Sequence, residues 1–596
     1  MRTAARTRRD FLKSVGLGTV SVLISGCAGS TSVSTGRRGY RRPNVILVMT
    51  DDQGYGDLAC LGNPIVKTPN IDELYSRSIH LTDFHVSPTC SPTRASLMTG
   101  RYCNATGVWH TVMGRSLLRR DEVTLGDCFK TAGYRTGIFG KWHLGDNYPF
   151  RPWVRGFDEA LILGGGAIGN TPDFFGIDYF DDTYSDSGKP EPFTGYCTDV
   201  WFDRAMAFMS HCAKSNQPFF CYLPTNAAHG PYRVPDKYKQ IYEADPNIPN
   251  ANFYGMITNI DENMGKLMRF LKGNRLEENT LVIFITDNGS AVGEGRRPAF
   301  NAGMRGFKGS PYEGGHRVPC FIYWPAGNLV GPKDINVLTA HIDILPTLVD
   351  ICGLRRPDGP KLHGISLKPL LYDRSTDWTG RALVVDSQRV ENLIKWRQCV
   401  VMQGQWRLVN GTELFDVAKD PGQKEDIAAE HAEVVERLRG EYERWWQDIS
   451  QRGGEYVPIV LGHDAENPTC LTSHDWHDAQ TGYPVFDQSQ VRRAVRSNGF
   501  WAVDVARAGR YEIQLRRWPR ELDQPINGSI PDGQAISAVQ ARLTIGRIEQ
   551  TMAVKADDKA AVFTVDLDQG PAKLQSWLIE KDGQSRGAYY VYVRRL

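Results

Sequence analysis

The stretch 44-NVILVMTDDQGYG-56 decides the fold class. Asn44 to Thr50 is a nearly continuous apolar run, the pattern of a strand buried on both faces of a parallel sheet. It ends in Asp51 and Asp52. Much later, Leu281 to Thr286 (LVIFIT) repeats the pattern and ends in Asp287-Asn288-Gly289. In open α/β sheets, ligands collect at the carboxyl ends of the strands. If these two strands are neighbours, three carboxylates and one amide meet at one point. Carboxylates so close repel one another and shift their own pKa values unless a cation lies among them. An all-oxygen set suits a hard ion, Ca2+ or Mg2+, rather than zinc. Either acid pair alone reads as a strand-end turn. Two of them on strands of one type point to a metal.

Working outward, apolar runs alternate with helical patterns. A helix is predicted to start at Thr68-Pro69, another to span Thr124 to Ala132 and close at Gly133, and a long one to cover Phe253 to Leu271. Asp199 to Cys212 is amphipathic, while Thr136 to Phe139 and Pro218 to Leu223 read as strands. Such alternation indicates an α/β domain with a mostly parallel central sheet. After about residue 450 the pattern changes to half-buried strands between Gly- and Pro-rich turns. These are Trp501 to Val505, Arg510 to Arg516, Ala541 to Ile545, Ala561 to Val565 and Ala588 to Arg594. They suggest an appended β-sandwich-like module, suited equally to binding polysaccharide and to packing against the rest of the chain.

A chain of 596 residues is long enough for roughly three to five domains. Its formal net charge of +2 gives no electrostatic case for nucleic acid. Thr7-Arg8-Arg9-Asp10-Phe11-Leu12-Lys13 resembles the twin-arginine export consensus, and the apolar run that follows is too short to span a membrane. That run ends in Ile24-Ser25-Gly26-Cys27, similar to a bacterial lipobox with Cys27 as the lipidated residue; an ordinary cleavage site is the alternative. Residues 1–27 are thus expected to be a signal, and residues 28–42 a flexible tether. The expected location is the periplasm, or the cell envelope of a bacterium through a lipid anchor, with the twin-arginine translocase as partner. No pair of cysteines forms C-x-x-C, which argues against zinc ribbons and thioredoxin-like sites. An oxidising compartment would permit some to pair, while others, such as Cys221, read as buried small hydrophobes.

One cysteine stands apart. Cys90 lies in Cys90-Ser91-Pro92-Thr93-Arg94, with three residues between Cys and Arg where a thiolate phosphatase has five, and no histidine partner within the motif. Continued through Thr99-Gly100, the segment resembles the C-x-P-x-R-x4-T-G signature of type I sulfatases. The resemblance extends from about residue 43 to about 450, its parts in family order. Gly140-Lys141-Trp142-His143-Leu144-Gly145, His229 before Gly230-Pro231, Lys308 in Arg305-Gly306-Phe307-Lys308-Gly309, and the distal Leu414-Phe415-Asp416 all match family elements.

The resemblance implies an alkaline-phosphatase-like catalytic domain (43–375), a smaller C-terminal α+β subdomain (376–450) and the β-rich module (451–596). It implies that a formylglycine-generating maturation enzyme oxidises Cys90 to formylglycine (3-oxoalanine), whose hydrate attacks sulfur. Asp51, Asp52, Asp287 and Asn288 match the calcium ligands, with residue 90 near the same ion. Lys141 and Lys308 are implied to bind the sulfate oxygens, and Arg94 to hold the hydrate and balance the acidic cage. His229 is the implied general acid, shared with Lys308, and His143 the helper that takes a proton from the second hydroxyl as sulfate is expelled. An ordinary serine would leave an ester needing water; a geminal hydroxyl supplies an internal exit.

The implied activity is hydrolysis of sulfate esters, from sulfated carbohydrates ahead of aryl sulfates. Two alternatives remain: a phosphodiester or phosphonate monoester hydrolase of the same superfamily, and a non-catalytic carbohydrate-binding lipoprotein. Trp109, His110 and Arg115 are candidates for the pocket mouth, and the aromatic, acidic segment from Gly164 to Tyr184 for the cleft wall.

Overall fold

Asn44–Thr50 lies inside a ten-stranded sheet of order Lys333–Ile335, Ile79–Leu81, Cys320–Tyr323, Thr280–Thr286, Asn44–Thr50, Phe219–Pro224, Arg135–Lys141, Glu159–Leu163, Thr183–Asp186 and Lys189–Pro192. The computed structural model describes residues 42–246, 248–292, 299–374 and 378–596. The export signal, Cys27 and nearly all of the predicted tether fall outside them, as does the predicted boundary at 375. The five strands from Thr280–Thr286 to Glu159–Leu163 are mutually parallel, and the antiparallel pairings lie outside that block.

Burial on both faces follows from the period of two. Ile46 and Val48 enter one core with the helices Cys197–Lys214 and Ala251–Gly273. Val45, Leu47 and Met49 enter the other with Cys90–Thr99, Leu125–Thr131 and Ile344–Ile351. Local chemistry sets the helix starts. Pro69 occupies the first turn of Pro69–Ser76, and Thr124 forms a capping box with Asp127 ahead of Leu125–Thr131.

A four-stranded antiparallel sheet follows (Ala382–Asp386, Cys399–Gln403, Trp406–Val409, Glu413–Asp416), packed under the helix Ala432–Ile449. Two further sheets, of six and four strands, then enclose one apolar core containing Trp476, Trp501 and Trp518. This is the expected sandwich, with additional strands such as Thr469–Thr472, Ile548–Ala553 and Gly570–Glu580. Its core also takes in Leu117, Phe150 and Phe175, so the sandwich packs against the α/β part. All eleven described cysteines are free, so none of the pairings that export would permit is formed among them. No helix among the described residues is long and apolar enough to cross a membrane.

Candidate active site

Parallel pairing with Thr50 opposite Thr286 brings the two acidic strand ends to one level. The chain then turns sharply. Asp52 takes a left-handed conformation (φ 56°), one that Asp tolerates better than most residues, and its N–H donates to Asp287 Oδ1 at 3.1 Å. Cys90 is the first residue of Cys90–Thr99, a helix buried along its whole length. Arg94 follows one turn later on the same face. Its guanidinium donates to Asp287 Oδ2 (2.8 Å) and to the Lys141 carbonyl (2.8 Å), and lies 3.7 Å from Asp51.

Two lysines complete the charge pattern. Lys141, the last residue of its strand, is 2.5 Å from Asp51 Oδ2, and Lys308 is 2.5 Å from Asp52 Oδ1. Asn288 Nδ2 donates to Asp52 Oδ1 at 2.9 Å. Asp51 Oδ1 and Asn288 Oδ1 are buried without a hydrogen-bond partner. Ligand atoms of Asp51, Cys90 and Asp287 lie within 4.8 Å of one another, as do those of Asp52, Cys90 and His229. Two orphaned oxygens amid crowded carboxylates fit a hard cation. Burial, reinforced by Asp51, pushes the Asp287 carboxyl up to about 7 despite Arg94 and Lys141. Burial would raise Asp52 too, but His229, Lys308 and Lys141 overcome it and hold that carboxyl below its ordinary range.

The histidines differ in tautomer. His143 Nε2 faces the Thr111 carbonyl at 2.8 Å and must donate, so Nδ1, buried and unpartnered, carries the lone pair. Burial, with Lys141 and His474, holds His143 well below the ordinary imidazole range, so it is a neutral base. His229 Nδ1 donates to the Gly230 carbonyl (2.7 Å), and Nε2 sits 3.5 Å from Asp52. Burial lowers His229 to about 4. Cys90 moves the other way. Burial pushes its thiol up to about 11, so the unmodified cysteine is no thiolate at neutral pH.

Cys90, His143, His229 and Lys308 open into a cavity of about 200 Å³. Gly166 and Asn170 of the Gly164–Tyr184 segment contribute to its wall, as that segment's composition suggests. Gly166 is required there: a Cβ would meet His143 Cε1 at 2.4 Å. The expected pocket mouth of Trp109, His110 and Arg115 is a correction, since all three are essentially fully buried and none lines this cavity. Trp109 Nε1 donates to the Val390 carbonyl, and Arg115 stacks on Trp109 while bonding the Glu391 and Glu455 carbonyls. Glu391, 3.3 Å from Arg115, neutralises that buried charge. Thr111, Val112, Arg389, Tyr483 and Phe486 hold the cavity-lining places instead. No spacing in the sequence links Tyr483 or Phe486 to Cys90.

An open, largely parallel α/β sheet with acids at adjacent strand ends and a helix-borne Cys90 beside them defines an alkaline-phosphatase-like hydrolase. Within that class, the chain belongs to the sulfatase family: the Sulfatase family model matches residues 43–354. Human arylsulfatase A is 32% identical over 353 residues, covering 56% of this chain and 68% of the relative. The N-acetylgalactosamine-6-O-sulfatase of Bacteroides thetaiotaomicron is 28% identical over 510 residues, covering 70% of this chain and 95% of that one. Among solved structures, Ps i-CgsB in complex with k-i-k-neocarrahexaose superposes with a TM-score of 0.63 at 27% identity, over 70% of this chain and 95% of its own. The protein is a sulfatase.

Proposed function

We propose that this sulfatase is exported and hydrolyses sulfate esters of carbohydrates, using formylglycine made from Cys90 by a maturation enzyme, and one Ca2+. The observation that carries the reading is the convergence of two lysines and two histidines on Cys90, beside carboxylates that leave two oxygens orphaned. Asp51, Asp52, Asp287 and Asn288 would hold the ion, beside residue 90. When bound, it supplies Lewis-acid stabilisation of charge on sulfate oxygens. The formylglycine hydrate supplies one hydroxyl to attack sulfur and a second whose deprotonation releases sulfate.

The remaining residues position charge and protons. Lys141 and Lys308 stabilise the negative charge that grows on the sulfate oxygens. Arg94 neutralises Asp287 and orients the first turn of the helix that carries residue 90. His143, neutral with its lone pair on the buried Nδ1, accepts a proton from the hydrate. A sulfate beside Nε2 of His229 raises that nitrogen's affinity for a proton, which suits it, with Lys308, to protonate the leaving oxygen. The relatives that act on or bind sulfated sugars support a carbohydrate substrate. Twin-arginine export, lipidation at Cys27 and the division at 43–375, 376–450 and 451–596 are parts of the same proposal.

The test is to purify the protein from its native host, weigh the tryptic peptide Ser78 to Arg94, and measure sulfate release from sulfated glycans against phosphate release from phosphodiesters. Formylglycine at residue 90 with sulfate release is expected. Full retention of the thiol in active protein, or a preference for phosphodiesters, refutes the proposal.

A further inference from the structure

The C-terminal sandwich contributes to the wall around the nucleophile. Tyr483 and Phe486 line the same cavity as Cys90, His143, His229 and Lys308. Backbone pairing fixes them there. The Thr171 N–H donates to the Phe486 carbonyl at 2.9 Å, the Gln488 N–H to the Gly169 carbonyl at 2.8 Å, and Asn170 forms a β-bridge with Asp487. The Tyr483 ring stands edge-on to His110, at 5.5 Å between centroids, and remains 42% exposed. A half-exposed aromatic pair on a rigid wall offers flat apolar faces to a sugar ring.

Arg389 also lines this cavity. Its backbone is left-handed (φ 44°), unusual for a long side chain, and its N–H donates to the Trp109 carbonyl. Nη1 reaches over the Lys308-Gly309 turn, 3.8 Å from where a Gly309 Cβ would stand. The cavity's other cations are already matched: Lys308 by Asp52, and Lys141 behind it by Asp51. Arg389 is exposed, and no described carboxylate pairs with it. A guanidinium at the entrance, without a carboxylate partner among the described residues, favours a second anion on the substrate.

From this arrangement we infer a leaving-group subsite, built jointly by Arg389 and by Tyr483 and Phe486 of the sandwich, that takes a sugar bearing a second anionic group, carboxylate or sulfate. The inference rests on the reading of this enzyme as a carbohydrate sulfatase. Arg389 pairs with the anion while the two aromatic side chains pack the ring, so the sandwich helps to choose the substrate.

Three disaccharides test it, sharing one sulfated residue and differing in the neighbour: neutral, uronate-bearing or itself sulfated. At low ionic strength, where exposed charge pairs are least screened, wild-type kcat/KM is expected to favour an anionic neighbour at least tenfold over the neutral one. Arg389→Gln collapses that ratio to about twofold, and Arg389→Lys recovers part of it. Tyr483→Ala raises KM for all three and leaves their ratio in place. The anion preferred by the wild type identifies the source as carboxylate or sulfate. Wild-type turnover with no anionic preference, or a ratio untouched by Arg389→Gln, overturns the subsite alone. No release of sulfate from any of the sugars, by protein that hydrolyses 4-nitrophenyl sulfate, overturns the carbohydrate reading and the subsite with it.

Discussion

Replacing Arg407 by methionine removes one charge from a buried network beneath the active site. The guanidinium of Arg407, 1% exposed, donates to Glu313 Oε1 at 2.7 Å and to Asp83 Oδ1 at 2.8 Å. Asp83 also bonds His85, whose Nδ1 lies 2.9 Å from Nδ1 of His316. Methionine fills much of the volume but leaves two buried carboxylates short of a partner, which costs about 3–5 kcal/mol. Burial alone would push Glu313 up; Arg407, with His85, His316 and Arg317, holds it down to about 2. A depressed carboxyl contributes stability that is present above its unfolded value near 4.5 and is lost as pH falls toward 2. For Glu313 this amounts to on the order of 3 kcal/mol at neutral pH. The cost of Arg407→Met should therefore be largest at pH 7 and shrink by most of that amount by pH 3. Urea unfolding followed by tryptophan fluorescence reads both values. A cost under about 1 kcal/mol at pH 7, or one that is the same at pH 3, would refute the reasoning. Activity should suffer as well. Glu313 begins the short helix Glu313–His316, and the Gly289 N–H donates to the Gly315 carbonyl, so this network underlies the loop carrying Asp287 and Asn288.

Further outcomes follow from the site. Lys308→Met should lower kcat/KM for sulfate esters by about 10²–10³ and, because it removes the near partner of buried Asp52, should also lower the unfolding midpoint; an effect on kcat/KM within threefold would count against a role for Lys308 on the sulfate. Dialysis against a calcium-selective chelator should abolish sulfate release and lower the unfolding midpoint, with Ca2+ restoring both better than Mg2+; full activity in metal-free protein would remove the ion from the mechanism. Gly166→Ala drives a methyl into the His143 ring, and is expected to cut kcat at least tenfold with the circular dichroism spectrum intact; unchanged kcat would mean the ring is free to move. Arg115→Leu should cost about 1–3 kcal/mol by leaving the Glu391 and Glu455 carbonyls without their donor, Glu391 itself staying held by His477 and the Asp478 N–H. Substrate ratios should stay as they are, and altered ratios would return Arg115 to the pocket.

Much of the site is legible because its chemistry is local to short segments. Apolar runs that end in acids, Asp51-Asp52 and Asp287-Asn288, declare both the strands and the carboxylate cluster. Cys90 and Arg94, four apart, fall on one helix face once that segment is helical. Lys141 and His143 flank a strand terminus, where side chains alternate and a turn of positive φ aims the ring. For Cys90 with Arg94 and for Lys141 with His143, backbone period converts sequence distance into position, while the meeting of Asp51-Asp52 with Asp287-Asn288 needed the two strands to pair.

The sequence by itself determined the α/β class, the mostly parallel core and the two acid-ended strands, since each is written in hydrophobic period or in residues a few positions apart; the role expected of Cys90 came from the resemblance to a family. Only the tertiary structure decided what surrounds them. Trp109, His110 and Arg115 sit a few residues from cavity-lining Thr111 and Val112, yet the Glu391 partner that buries Arg115 comes from far along the chain. Tyr483 and Phe486 reach the cavity because the sandwich core encloses Leu117, Phe150 and Phe175, and its edge pairs with residues 169–171. Packing of one layer on another has no period and no fixed spacing, so it brings distant residues together without leaving a pattern along the chain.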